Sequence, residues 1–292
     1  MGLFSQFKTM LGGNKVDVRA RYELLREITS GTMSTFYKAR DRETGRLVGL
    51  KVLDPKKTAE FEARFKGLDK PGEGEILAKL DHPRIVKLLD HGLTTRGERF
   101  VAMEFLEGLG VDLLLSRRSP LLEGRRVRII RQAAEGLLAV HQAGFIHRDV
   151  CPRNFMVDEQ GDHLKLIDFG LTVPATPPFM QPGNRTGNPN YMAPELVKRR
   201  PTDQRLDVFA FGVSAYEICC GQLPWERGDT GLVAMKHAEH PPAEIERYRP
   251  QINRKLSKLI ARCIEREPEK RFADMKQVLK ALDEVESEDT PP

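Results

Sequence analysis

The apolar positions of this chain change period along its length. Tyr22 to Ile28, Thr35 to Ala39 and Leu47 to Leu53 are short, strand-like runs separated by polar or glycine-bearing turns. Glu73 to Leu80 differs, because Ile76, Leu77 and Leu80 fall on one helical face. Further on, helical spacing dominates. Arg125 to His141 sets Val127, Ile130, Ala134, Leu137, Leu138 and His141 along one stripe, and Asp207 to Cys220 reads as an apolar helix. One later stretch returns to strand character. Phe155–Val157 and Leu164–Ile167 flank the polar turn Asp158-Glu-Gln-Gly-Asp162, a β-hairpin signature.

The ends and one internal segment lack such order. Residues 1–20 form a leader in which Leu3, Phe4, Phe7, Met10 and Leu11 sit at helical spacing before Gly12-Gly13-Asn14. It reads as a tail packing on its own domain or as a frayed end. The alternative is a weak contact of residues 3–11 with a membrane surface or a partner, for which the single Lys8 offers little charge. Leu171 to Tyr191 is rich in Pro, Thr, Gly and Asn and reads as loop. Residues 286–292, acidic and proline-ended, are expected to be a disordered tail.

Composition narrows the function classes. The 292 residues are 40% hydrophobic, enough for a real core. The net charge of +5 comes from 47 basic and 42 acidic side chains mixed along the chain, which favours anionic ligands weakly and gives no case for nucleic acid. Four cysteines, at 151, 219, 220 and 263, have no zinc-like spacing and read as reduced thiols in a cytoplasmic protein. No run approaches the roughly 18 apolar residues of a membrane span.

The candidate chemistry gathers on the hairpin. His147-Arg148-Asp149 precedes it, Asn154 opens it and Asp168 closes it. A hairpin returns its ends to one place, so these side chains can converge. Two carboxylates and an amide there offer oxygen ligands to Mg²⁺ and one carboxylate to orient a nucleophile. Elsewhere, Lys51 stands alone in an apolar strand, so it lies at an edge or has an anionic partner.

His-Arg-Asp, the asparagine five residues on, and Asp-Phe-Gly resemble the eukaryotic-type (Hanks-type) protein kinases, of Ser/Thr character and possible bacterial type. Seven motifs in order carry the resemblance over about residues 21–285. It implies an α+β, two-lobed fold, with a small sheet-plus-helix lobe at about 21–103, a larger mainly helical lobe at about 107–285, and ATP between them. It also implies ATP and Mg²⁺ as ligands and a protein substrate. In the small lobe it makes Ile28 a nucleotide-binding residue, Gly31 part of the phosphate-covering loop Thr29–Ser34, and Phe36 and Gly49 the roof over adenine. The usual Val and Ala are here a large and a small residue, a volume-compensated pair. Lys51 would contact the phosphates with Glu73 as its partner and Glu75 as the fallback. Met103 would guard the rear of the pocket, and Glu104 and Leu106 would present backbone groups to the base. In the large lobe, Asp149 would be the catalytic aspartate, Asn154 and Asp168 the metal ligands, Met156 the floor beneath adenine and Ile167 part of the rear wall. Asp207 would accept from the catalytic-loop backbone, and Arg271 would pair with Glu195.

The chain departs from the pattern at several points. Thr29 and Ser34 replace the outer loop glycines. Pro71, Gly72 and Gly74 surround Glu73, predicting a short or broken helix start and a conditional Lys51–Glu73 pair. Cys151 stands where Ser/Thr kinases carry lysine, leaving Arg153 to supply that charge, and Asn188 replaces the threonine that braces the aspartate. Three functions fit these residues: a protein Ser/Thr kinase with reduced activity possible, a nucleotide-binding pseudokinase scaffold, and a small-molecule phosphotransferase. Lys51, Asp149, Asn154 and Asp168 stand against the scaffold, and Ala193-Pro-Glu195 with Arg271 against the small-molecule enzyme.

Overall fold

A computed structural model describes residues 15–30, 33–65, 67–182, 186–228 and 231–289. Gly31 and the leader's residues 3–11 lie outside them. The chain divides into two units, Met1–Asp81 with Val86–Leu106, and His82–Ile85 with Glu107–Pro292.

The first unit is built on a five-stranded antiparallel sheet of order β1-β2-β3-β5-β4. Its strands are β1 (Tyr22–Ser30), β2 (Ser34–Asp41), β3 (Leu47–Leu53), β4 (Leu88–Leu93) and β5 (Arg99–Glu104). The period of two decides which side chains are buried together. Val48, Leu50 and Val52 of β3 turn to one face, where Tyr22, Ala39, Phe100 and Ala102 form an apolar cluster. Gly49 and Lys51 turn to the other. Among the described residues, this unit also holds the α-helices α1 (Val18–Arg21), α2 (Pro55–Glu62) and α3 (Glu73–Leu77).

The last residues of the leader, 16–20, pack on this unit, as a tail seated on its own domain would, so the unit begins upstream of residue 21. Val16 bridges to Thr94, Val18 joins the apolar cluster, and the Asp17 carboxylate caps α1 by accepting from the Arg19 and Ala20 amides. A buried valine and a satisfied helix start outweigh the entropy of a loose end.

The second unit is mainly helical. Its helices are α4 (Val111–Ser116), α5 (Arg126–Gln142), α6 (Pro194–Val197), α7 (Arg205–Cys220), α8 (Gly231–Glu239), α9 (Arg254–Cys263) and α10 (Met275–Leu282). Every residue of α7 from Leu206 to Cys219 is buried, as befits a helix apolar all round. Two small sheets complete the unit. Strands β6 (Gly108–Gly110), β8 (Phe155–Asp158) and β9 (Leu164–Leu166) form one, in the order β6-β8-β9. The second pairs β7 (Phe145–Ile146) with β10 (Val173–Pro174), a short strand inside the segment expected to be all loop.

The tail also differs from expectation. Glu288 and Asp289 are docked rather than disordered, while 290–292 lie outside the described residues. Glu288 accepts from the backbone amides of Gly124 and Arg126 and from the guanidinium groups of Arg126 and Arg249, at 2.8–3.0 Å. Asp289 takes a two-pronged bond from Arg249 at 2.6 and 2.7 Å. Acidic composition was read as a reason for disorder, but here the charges meet two arginines and the first turn of α5. Burial works against the Glu288 charge, yet these donors hold its carboxyl below the usual range. Among the described residues, no helix is long and apolar enough to cross a membrane.

Candidate active site

In the first unit, Lys51 points from β3 to the face opposite the apolar cluster, and its ammonium reaches both oxygens of Glu73 at 2.9 and 2.8 Å. The side chains are 13% and 2% exposed, so the lysine meets the partner that its burial requires. Helix α3 spans only five residues and begins at Glu73, after Gly72, as the proline and glycines there predict. Glu75 is engaged elsewhere, accepting from the Gly72 amide at 2.6 Å, so Glu73 is the partner and the fallback is excluded.

Positions 36 and 49 pack as one. A Cβ built on Gly49 would fall 2.6 Å from Phe36 Cζ and 3.3 Å from Met103 Cγ, so the ring occupies the space an alanine would need. Register brings these groups together, since Phe36 pairs with Lys51 and Gly49 with Met103. Ile28 lies exposed near the end of β1. Glu104 closes β5, its amide donating to the Lys87 carbonyl and its carboxylate accepting from the Lys87 amide. Leu106 follows, half-buried.

The second unit gathers Asp149, Arg153 and Asn154. Asp149 is 7% exposed, and its Oδ2 accepts from Arg153 and from Asn154 Nδ2, each at 2.9 Å. The same amide nitrogen donates to the Asp149 carbonyl at 2.7 Å. Asp149 Oδ1 is buried without a partner, although a buried polar atom is costly to leave unmatched. Arg153 thus turns toward Asp149. Burial disfavours its charge, but the Asp149 carboxylate outweighs that and holds the guanidinium charged. Cys151 is buried, and the low-polarity surroundings, with Asp149 beside it, push its thiol up, so it remains neutral.

The expected hairpin forms, with Phe155 opposite Leu166 and Val157 opposite Leu164. The Ile167 amide donates to the Asn154 carbonyl at 3.0 Å, which ties the residue before Asp168 to the residue that opens the hairpin. Asp168 has left-handed backbone, φ 65°, and accepts from the Gly170 amide. Arg148 shares that conformation at φ 67°, and such strain in non-glycine residues clusters at functional sites. Met156 and Ile167 are half-buried on the hairpin.

Several supports hold this loop. Asp207 accepts from the amides of His147 and Arg148 at 2.7 and 2.8 Å. Its burial favours the neutral acid, but the bond to His141 Nε2 at 2.9 Å and the neighbouring donors hold it ionised, below the usual range. His141 ends the helical stripe of α5, and no local pattern marks its link to a residue 66 positions away. Thr172 Oγ1 donates to the His147 carbonyl, another support without a sequence signal. Arg271 and Glu195 form the expected buried pair, at 2.7 and 2.8 Å, with Arg271 also donating to the carbonyls of Arg205, Glu265 and Arg266. Asn188 does not replace the missing brace. Its Oδ1 accepts from the Asn190 amide and side chain, starting the turn Pro189–Tyr191. Thr186, Gly187, Asn188 and Tyr191 nonetheless line a narrow crevice with Asp149.

The donor set suits a divalent cation that also binds phosphate. Asn154 Nδ2 donates twice to Asp149, which leaves its Oδ1 as the atom that could face a cation. Among the described residues, no three His, Cys, Asp or Glu side chains cluster to hold a metal by themselves. Mg²⁺ fits that arrangement, since it takes one or two protein ligands and fills its remaining positions with water and substrate phosphates.

A sheet carrying a paired lysine, and a helical unit presenting Asp149 and Asn154 from the loop that leads into one hairpin, suit phosphoryl transfer. Residues 22–282 match the protein kinase domain, and the chain belongs to that family. It is similar to the serine/threonine-protein kinase pkn3 of Myxococcus xanthus, 32% identical over 292 residues, covering 94% of this chain and 51% of that protein. The serine/threonine-protein kinase PknD of Mycobacterium tuberculosis is 32% identical over 255 residues, 86% of this chain and 37% of its own length. PrkC of Bacillus subtilis, also a serine/threonine-protein kinase, is 27% identical over 266 residues, 90% and 40% respectively. The chain spans about half or less of the curated relatives it matches.

Proposed function

We propose that this chain is an ATP- and Mg²⁺-dependent protein kinase that transfers the γ-phosphoryl group to a serine or threonine hydroxyl of a protein substrate in the cytoplasm. The observation that carries this reading is the unpartnered, buried Oδ1 of Asp149, whose other oxygen is fixed by Arg153 and Asn154. A carboxylate anchored on one side and open on the other is suited to accept the hydrogen bond of an incoming hydroxyl and aim its oxygen at phosphorus. Arg153 lies beside it with its charge maintained, suited to stabilise the negative charge that spreads over the transferring group.

Lys51 is held by Glu73 as a fixed cation for the α and β phosphates. Asn154 and Asp168 would hold Mg²⁺, which supplies neutralisation of phosphate charge when bound. Phe36, seated over Gly49, offers an aromatic face to a base. Gly31, Ile28, Met103, Glu104 and Leu106 in the first unit, and Met156 and Ile167 in the second, complete the proposed nucleotide contacts. The relatives' serine/threonine specificity supports the choice of acceptor. Arg153 also weakens the scaffold reading, since it supplies the charge that Cys151 lacks.

The test is transfer of radiolabel from γ-labelled ATP with Mg²⁺ to a generic basic protein, followed by phosphoamino-acid analysis. Phosphoserine or phosphothreonine from the wild type supports the reading. Nucleotide binding without label selects the scaffold.

A further inference from the structure

Gly74 sits where a helix tolerates glycine poorly, inside the five-residue α3 and directly after Glu73. Glycine costs a helix about 1 kcal/mol relative to alanine, and that cost suggests a loosened ion pair. The packing gives the residue another meaning. A Cβ built on Gly74 would lie 2.4 Å from His91 Cβ, 2.5 Å from Cγ and 2.7 Å from Nδ1. Ordinary carbon contacts are roughly 3.5–4.0 Å. The nearest atoms are the root of the histidine side chain, so no change of rotamer clears the space. The absent side chain is therefore what lets α3 approach β4 this closely.

The sheet register links that contact to the ion pair. His91 pairs with Val101, and Val101 pairs with Lys51, so the three occupy one row across β4, β5 and β3. Residues directly opposite one another share a face. Glu73 and Gly74 are adjacent on α3, one bonded to the first residue of that row and the other seated on the last. The depth at which Gly74 rests on His91 thus sets how far the Glu73 carboxylate reaches toward Lys51.

We infer that Gly74 and His91 form a spacing contact that holds Glu73 against Lys51, making Gly74 a positioning residue for phosphoryl transfer. The catalytic part of this inference rests on the kinase reading above; the geometric part does not. An alanine at 74 forces α3 back by about 1 Å to regain normal contact. That displacement takes a 2.8 Å pair to about 3.8 Å, beyond hydrogen-bond range.

The test compares Gly74→Ala, Glu73→Gln and the double variant. Gly74→Ala is expected to lower kcat at saturating ATP by about tenfold to a hundredfold, the scale of an ångström misplacement. In the Glu73→Gln background it should add less than about twofold, because the interaction it acts through is already lost. His91→Gly combined with Gly74→Ala moves the missing Cβ across the contact and should recover most of the loss. Equal losses in both backgrounds, or no loss in either, would overturn the inference. If the wild type transfers no phosphate, the kinase reading fails separately. The inference then stands or falls on the crystal structure of Gly74→Ala, supported by a parted Lys51–Glu73 pair and overturned by an intact one.

Discussion

Gly49→Ala introduces the residue that protein kinases commonly carry at this position, yet here it should impair nucleotide binding. The new Cβ would meet Phe36 Cζ at 2.6 Å, Cε2 at 3.1 Å and Met103 Cγ at 3.3 Å. Against a contact distance of about 3.5 Å, the shortfall is about 1 Å at the ring and a few tenths at the methionine. Methionine yields easily, but a phenyl ring moves as one body and must swing off its seat. Overpacking of this size costs about 1–3 kcal/mol, or about 5-fold to 150-fold if expressed in affinity. Phe36→Val alone should cost a similar amount, by removing the aromatic face and leaving a hollow over Gly49. The double variant Phe36→Val/Gly49→Ala conserves volume and should bind within about threefold of wild type. Titration with a fluorescent ATP analogue, with thermal melts in parallel to separate affinity from folding, measures all four proteins. A double variant weaker than either single one, with the two losses adding, would refute the coupling.

Three further outcomes follow from contacts elsewhere. Arg271→Ala leaves Glu195 buried without its partner and should destabilise the protein by about 3–5 kcal/mol in chemical denaturation. Arg153→Ala should reduce kcat by about 10-fold to 100-fold while ATP affinity changes less than about twofold, with partial recovery in Arg153→Lys; an unchanged kcat would remove Arg153 from the proposed chemistry. Glu288→Gln should lower stability at neutral pH by about 1–2 kcal/mol. Because the folded-state pKa of Glu288 is depressed, its contribution is present above the ordinary glutamate pKa and disappears as pH falls through the lower, folded value. Wild-type and variant melting curves should therefore converge in acid, and a constant gap would contradict the docked tail.

Much of the candidate site was legible because its information is local. The hairpin places Asn154 and Asp168 at its two ends, and strand alternation alone separates Lys51 from the apolar cluster of Val48 and Leu50. What escaped depends on partners distant in sequence. Gly74 reads as a helix breaker until His91 is seen filling its place. The acidic tail reads as disordered until Arg126 and Arg249 meet it. His141 offers no hint of Asp207. In each case a contact between residues distant in sequence decides the role, and local preference carries no trace of it.

The central claim is that Asp149 directs the acceptor hydroxyl, and Asp149→Asn probes it most directly. Phosphorylation rate and ATP affinity should be measured together on wild type and variant. The account predicts a rate lower by about a hundredfold or more, the usual scale of a lost general base, with ATP affinity essentially retained. A variant that phosphorylates protein as fast as wild type would contradict it.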